Sequence, residues 1–71
     1  MVEVFKTNVQ RTTVAKEIIA ILLQNFPGRK INFDLEDCDK VLRVEGENFQ
    51  PGKIVMLVND NGFQCQVMED D

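Results

Sequence analysis

Apolar residues recur along this chain in two rhythms, and their alternation divides it into six segments: strand, helix, strand, strand, helix, strand. Val2 to Asn8 alternates every second residue, with Val2 and Val4 on one face, which predicts a first strand. Thr12 or Thr13 can cap a helix reaching to about Gln24. Within it Val14, Ile18, Ile21 and Leu22 fall at the three-, four- and seven-residue spacings of a buried stripe. Pro27-Gly28 stops that helix and turns the chain. Ile31, Phe33 and Leu35 then alternate with Asn32, Asp34 and Glu36 as a half-buried strand. A turn over Glu36–Lys40 leads into Val41–Glu45, with Leu42 and Val44 facing inward. After a loop over Gly46–Gln50, Pro51 suits the first turn of a second helix, where its missing N–H has no partner to lose. Ile54, Leu57 and Val58 form the inner stripe, and Asn61-Gly62 ends it. Phe63, Cys65 and Val67 alternate with Gln64 and Gln66 in a last strand.

This order takes up nearly all of the 71 residues, so residues 1–71 read as a single domain. Two amphipathic helices can cover one face of a four-stranded antiparallel sheet, giving an α+β, ferredoxin-like βαββαβ sandwich with the second and fourth strands outermost. The other sheet face is expected to carry Glu3, Phe5, Thr7, Val41, Arg43, Glu45, Gln64 and Gln66, with Phe5 and Val41 as its apolar patch. The first helix has more apolar residues than one buried face accommodates. Ile19 or Leu23 is therefore expected partly exposed, and Val55 and Met56 on the second helix likewise. These positions offer a contact surface for a protein partner or a second copy.

Charge narrows the partners. A net charge of −4, with eight scattered cations, argues against nucleic acid and anionic membrane, both of which require clustered Lys and Arg. The acids cluster at Asp34–Asp39 and Glu69–Asp71, which suits a basic protein partner or a cation. The turn Asp34-Leu35-Glu36-Asp37-Cys38-Asp39 lacks the ligand spacing of an EF-hand loop and reads as a solvated hairpin tip. There is no histidine and no serine, so neither a Cys–His nor a Ser–His pair can form, and the carboxylates sit in turns where burial cannot separate their pKa values. An enzyme is not expected. The glycines are isolated, no phosphate-cradling loop is formed, and no cofactor is expected. The longest apolar run, Ile18 to Leu23, is six residues, and the N-terminus shows no signal-peptide pattern. Two cysteines are too few for a disulfide scaffold, and the expected setting is the reducing cytoplasm.

From Val2 to Met68 the chain resembles a heavy-metal-associated domain, the small copper-chaperone-like module. The resemblance is carried by Val9 before the first helix, Ile18 and Leu22 within it, and Pro27-Gly28 after it. The alternating Ile31–Leu35 segment and the closing series Ile54, Leu57, Asn61-Gly62-Phe63 extend it. The family's chemistry rests on a Met-x-Cys-x-x-Cys loop, whose two thiolates at a helix start grip a soft ion such as Cu(I). The corresponding stretch here is Val9-Gln10-Arg11-Thr12-Thr13-Val14. Val9 stands for the buried Met, and Arg11 and Val14 take the thiol positions. A permanent cation and an alkyl group do not ligate a soft ion, so the resemblance implies the fold without the metal activity.

Cys38 and Cys65 are then the only thiol ligands. The topology places them at one end of the sheet but ~10–14 Å apart, too far to share a metal or a disulfide without distortion. Cys65 shares its face with Phe63 and Val67 and reads as a small core residue, while Cys38 reads as an exposed turn residue. The sequence thus points to a small non-enzymatic binding or regulatory module whose metal thiols are lost. The alternative is a metal-binding or metal-trafficking protein with non-standard ligands, Cys38, Cys65 or both, the favoured arrangement being Cys38 from two copies bridged across a dimer.

Overall fold

β1 (Val2–Thr7) is the strand on which the sheet is registered. It lies antiparallel between β3 (Val41–Glu45) and β4 (Cys65–Val67), and β2 (Lys30–Asp34) flanks β3, giving the order β2-β3-β1-β4. Helices α1 (Thr12–Asn25) and α2 (Pro51–Asp60) cover one face, α1 over β2 and α2 over β4. The result is the α+β, ferredoxin-like βαββαβ sandwich. The structure is a computed structural model describing residues 1–68; residues 69–71, the second acidic cluster, lie outside the described residues. No helix among the described residues is long and apolar enough to cross a membrane.

Register decides which face each strand residue takes, because residues directly opposite in an antiparallel pair share a face. Phe5 stands opposite Leu42 on one side and Val67 on the other, and Thr7 stands opposite Cys65. Leu42 is fully buried, so Phe5 must point inward with it, and Phe5 is 0% exposed. This overturns the expectation that Phe5 belongs to an apolar patch on the open face. Val2 and Val4 take that face instead, with Val2 44% exposed. One phenyl ring buries more apolar area than either valine, and inverting β1 would also turn Val9 outward. Val9 lies two alternations beyond Phe5 and is itself fully buried.

The core gathers Phe5, Val9, Leu22, Leu42, Val44, Ile54 and Val58 at full burial, joined by Ala15, Ile18, Ile31, Phe49 and Cys65. On α1 the buried stripe is Ala15, Ile18 and Leu22, with Val14 and Ile21 half-buried at its margins. Neither Thr12 nor Thr13 caps this helix. The cap position is Arg11, in extended backbone conformation, with no side-chain bond to the first turn. The helix is therefore held by its apolar stripe rather than by its first-turn chemistry.

α2 begins differently. Pro51 occupies the first turn, and Phe49, just before the Gln50 cap, is buried in the same core as Ile54 in the second turn. That is the spacing of a hydrophobic staple, which fixes the angle at which the chain enters the helix. At its far end Gly62 takes the left-handed conformation, φ +91°. β4 is shorter than the Phe63–Val67 alternation suggests. The Phe63 N–H is retained by the Val58 carbonyl at the end of α2, and the Gln64 N–H donates to Asn8 Oδ1 at 2.8 Å. Both amides are engaged away from the sheet, so ladder pairing starts at Cys65.

Candidate interaction surface

The loop Val9–Val14, expected from the sequence to stand where a soft-metal site would lie, is built around Thr7. The Thr7 hydroxyl donates to the Lys40 carbonyl at 2.6 Å and accepts the Val9 N–H at 3.3 Å, and the Thr7 N–H donates to the Asp39 carbonyl at 3.1 Å. This buried threonine is fully engaged, and it ties the end of β1 to the β2–β3 turn. Val9 follows into the core, Gln10, Arg11, Thr12 and Thr13 are exposed, and Val14 is half-buried. A buried alkyl group, a guanidinium and a second alkyl group supply no donor to a soft cation. The residues of this loop do not fit a metal of that kind.

The two cysteines occupy opposite environments. Cys65 is buried on the inner face of β4. Burial pushes its thiol up from an ordinary value of 9.0 to about 11, so it is protonated at neutral pH and is a poor ligand. Cys38 is exposed at the hairpin tip between Asp37 and Asp39. There the Asp37 carboxylate accepts the Asp39 N–H at 2.9 Å, and the Lys40 N–H closes the turn onto the Asp37 carbonyl at 3.0 Å. Asp39 also lies 3.6 Å from the Lys6 ammonium, an exposed ion pair of small energetic weight. The ligand atoms of Asp37, Cys38 and Asp39 lie within 4.8 Å of one another. Such a grouping of one soft and two hard donors at a solvated tip is common without any ion.

The remaining candidates are apolar. Met56 on α2 is 65% exposed and Leu23 on α1 is 39% exposed, whereas Ile19 and Val55 are half-buried and rest against the core. Val41 is half-buried on the open sheet face, where it is accompanied by Val2 and Val4 rather than by Phe5. Two open grooves flank α1. One, about 310 Å³, runs between α1 and the edge strand β2, with Ile19, Phe33 and Leu35 as its apolar floor and Thr12 and Lys16 at its rim. The other, about 230 Å³, lies between the two helices, lined by Phe26, Met56 and Leu57 with Asn25, Lys53 and Asp60 around them. A third depression, about 320 Å³, is lined by Lys6, Thr7, Asn59, Gln64, Cys65 and Gln66. All three are shallow and open. They suit contact with a macromolecular surface better than enclosure of a small ligand.

The helix residues of this surface follow from the sequence, but the β2 groove does not, because how far α1 leaves Phe33 and Leu35 uncovered on the edge strand depends on how the helix packs. Phe49 and Ala15 in the core were also missed; the staple spacing from Phe49 to Ile54 was the available signal for the first. No protein-family model matches this chain, no curated protein matches its sequence, and no solved structure matches it.

Proposed function

We propose that this protein is a small, non-enzymatic binding or regulatory module. In this reading it is a relative of the heavy-metal-associated domain that keeps the fold and has lost the metal thiols. The observation that carries the reading is the Val9–Val14 loop, whose six residues offer a soft cation no thiol, in a chain whose six elements take the ferredoxin-like order. It is supported by Leu23 on α1 and Met56 on α2, which stay exposed beside half-buried Ile19 and Val55. The module works by presenting a preformed surface to a protein partner or to a second copy.

A second reading is favoured by one observation, the Asp37–Cys38–Asp39 donor group at the hairpin tip. In it, Cys38 from two copies bridges a metal ion across a dimer. Native mass spectrometry under reducing conditions, with and without Cu(I) and Zn(II), separates the two. The module reading requires a bare chain after both additions. One tightly held ion per chain or per dimer, lost in Cys38→Ser, would replace it with metal handling.

A further inference from the structure

We propose that the chain pairs with a second copy of itself along the free edge of β2, antiparallel and two-fold symmetric about Asn32. This rests on the interaction-module reading and names its surface and its partner.

The alternation of main-chain bonds defines what the β2 edge presents. Gly46 donates its N–H to the Met1 carbonyl at 3.0 Å, one step beyond the Val2–Glu45 pair. Bonded pairs alternate along an antiparallel ladder, so Leu42 and Val44 turn their N–H and C=O groups toward β1. Val41, Arg43 and Glu45 therefore turn theirs toward β2, where they meet Asp34, Asn32 and Lys30. What remains at the outer edge is the N–H and C=O of Ile31 and of Phe33. An edge with free donors and acceptors is a template for one more strand.

The sequence of β2, Lys30-Ile31-Asn32-Phe33-Asp34, is complementary to itself when read in the opposite direction. With Asn32 opposite Asn32 of the second copy, Ile31 and Phe33 of each copy exchange both main-chain bonds with Phe33 and Ile31 of the other. Lys30 then faces Asp34 of the second copy, and Asp34 faces its Lys30. Both charge pairs fall at the non-bonded positions of the ladder, where opposing side chains approach most closely. Lys30 and Asp34 are exposed on the open face, and neither takes part in an ion pair among the described residues. On the helix face Ile31 meets Phe33, and the groove floored by Ile19, Phe33 and Leu35 is brought against its own symmetry mate. Sliding the register by two residues one way puts Lys30 opposite Asn32 and breaks both charge pairs; sliding it the other way puts Asp34 opposite Asn32 and moves Lys30 against Glu36, beyond the end of β2. The other edge does not compete: β4 is three residues long and, paired with itself, sets Cys65 against Val67 with no charge to fix its register.

A five-residue strand gives a small interface, so the dimer is weak and is measured up to about 1 mM protein. Sedimentation equilibrium on the wild type, Lys30→Asp, Asp34→Lys and the double variant tests the pairing. The expected result is a wild-type dimer whose dissociation constant rises about tenfold in each single variant. In the double variant it returns to within about threefold of the wild type, because the swapped charges face each other again. Hydrogen exchange on the wild type gives a readout free of any variant: the Ile31 and Phe33 amides become protected with rising concentration, while Asn32, bonded to β3 throughout, does not change. A monomer across the whole range, a dimer indifferent to the single swaps, or a double variant without recovery would each overturn the proposal. A monomer that stays bare of metal overturns the edge pairing and leaves the module reading standing. A dimer that falls apart in chelator or in Cys38→Ser overturns both.

Discussion

Arg29 lies across Gly46 so closely that a Cβ built on Gly46 would overlap the Arg29 Cδ. The guanidinium bridges two loops, donating to the Pro27 carbonyl at 2.8 Å and, more weakly, to the Asn48 carbonyl at 3.4 Å. It thereby clips the turn after α1 to the turn after β3, and Gly46 is the residue that leaves room for it.

Gly46→Ala should displace the Arg29 side chain and destabilise the fold by about 1 kcal/mol, the worth of the lost bonds. In an Arg29→Ala background the same substitution should be near neutral. Urea denaturation of the four proteins in this double-mutant cycle measures the coupling directly. Equal effects in both backgrounds would mean that the clip is not what Gly46 serves.

The inward position of Phe5 is tested by comparison with Val4 on the opposite face. Phe5→Ala should lose about 3–5 kcal/mol through transfer and cavity terms. For a domain of this size, whose whole stability is roughly 4–10 kcal/mol, that is close to unfolding. Val4→Thr should change stability by less than about 0.5 kcal/mol. Chemical denaturation followed by circular dichroism reads both, and the reverse ranking would restore the inverted strand.

Thr7 is the one buried polar side chain among the described residues, and its hydroxyl serves two main-chain partners. Thr7→Val keeps the shape and removes both bonds, leaving the Lys40 carbonyl and Val9 N–H without them. We expect a loss of about 1–2 kcal/mol. Faster hydrogen exchange at Val9 should accompany it, since the loop before α1 would no longer be tied to the β2–β3 turn.

The two thiols should separate cleanly in reactivity. Cys38 is exposed and should react with a thiol reagent in the native protein, whereas Cys65 should react only when the fold opens. Burial holds the Cys65 thiol in its neutral form to about pH 11, against 9.0 when unfolded. Its contribution to stability is therefore complete below pH 9 and is lost as pH rises from 9 toward 11, because the unfolded chain gives up that proton first. Cys65→Val should remove this part of the alkaline decline. The difference between the two proteins' denaturation midpoints at pH 8 and pH 10.5 is the quantity to measure.

Much of the architecture was legible in the sequence because the hydrophobic rhythm is local. The two-residue alternation of Ile31 and Phe33, the stripe of Ile18 and Leu22, Pro51 in a first turn and Gly62 in a left-handed cap each follow from a few neighbouring residues. Their order on the chain then leaves few topologies. Where the reading failed, the deciding partner was distant. In β1, two valines occupied one face and a single phenylalanine the other, and only the pairing of Phe5 with Leu42 and Val67 resolved the choice. Thr12 and Thr13 have the chemistry of caps, yet they are the first residues of α1 itself, and Thr7 and Val9 hold the preceding loop so that Arg11 occupies the cap position.

The candidate surface divides in the same way. That Leu23 and Met56 would be in excess of one buried face could be counted from helical periodicity alone, and the absence of paired thiols from the Val9–Val14 loop is a matter of residue identity. Which main-chain groups remain free at the β2 edge, and that Lys30 and Asp34 flank them on one face, became visible only with the strand order and the register. The sequence by itself determined the order and type of the six elements, since each carries its own local rhythm of apolar and polar residues. The tertiary structure decided which face of β1 is buried, which edges stay open, and how the loops are clipped together, since those depend on residues that meet only when the sheet closes.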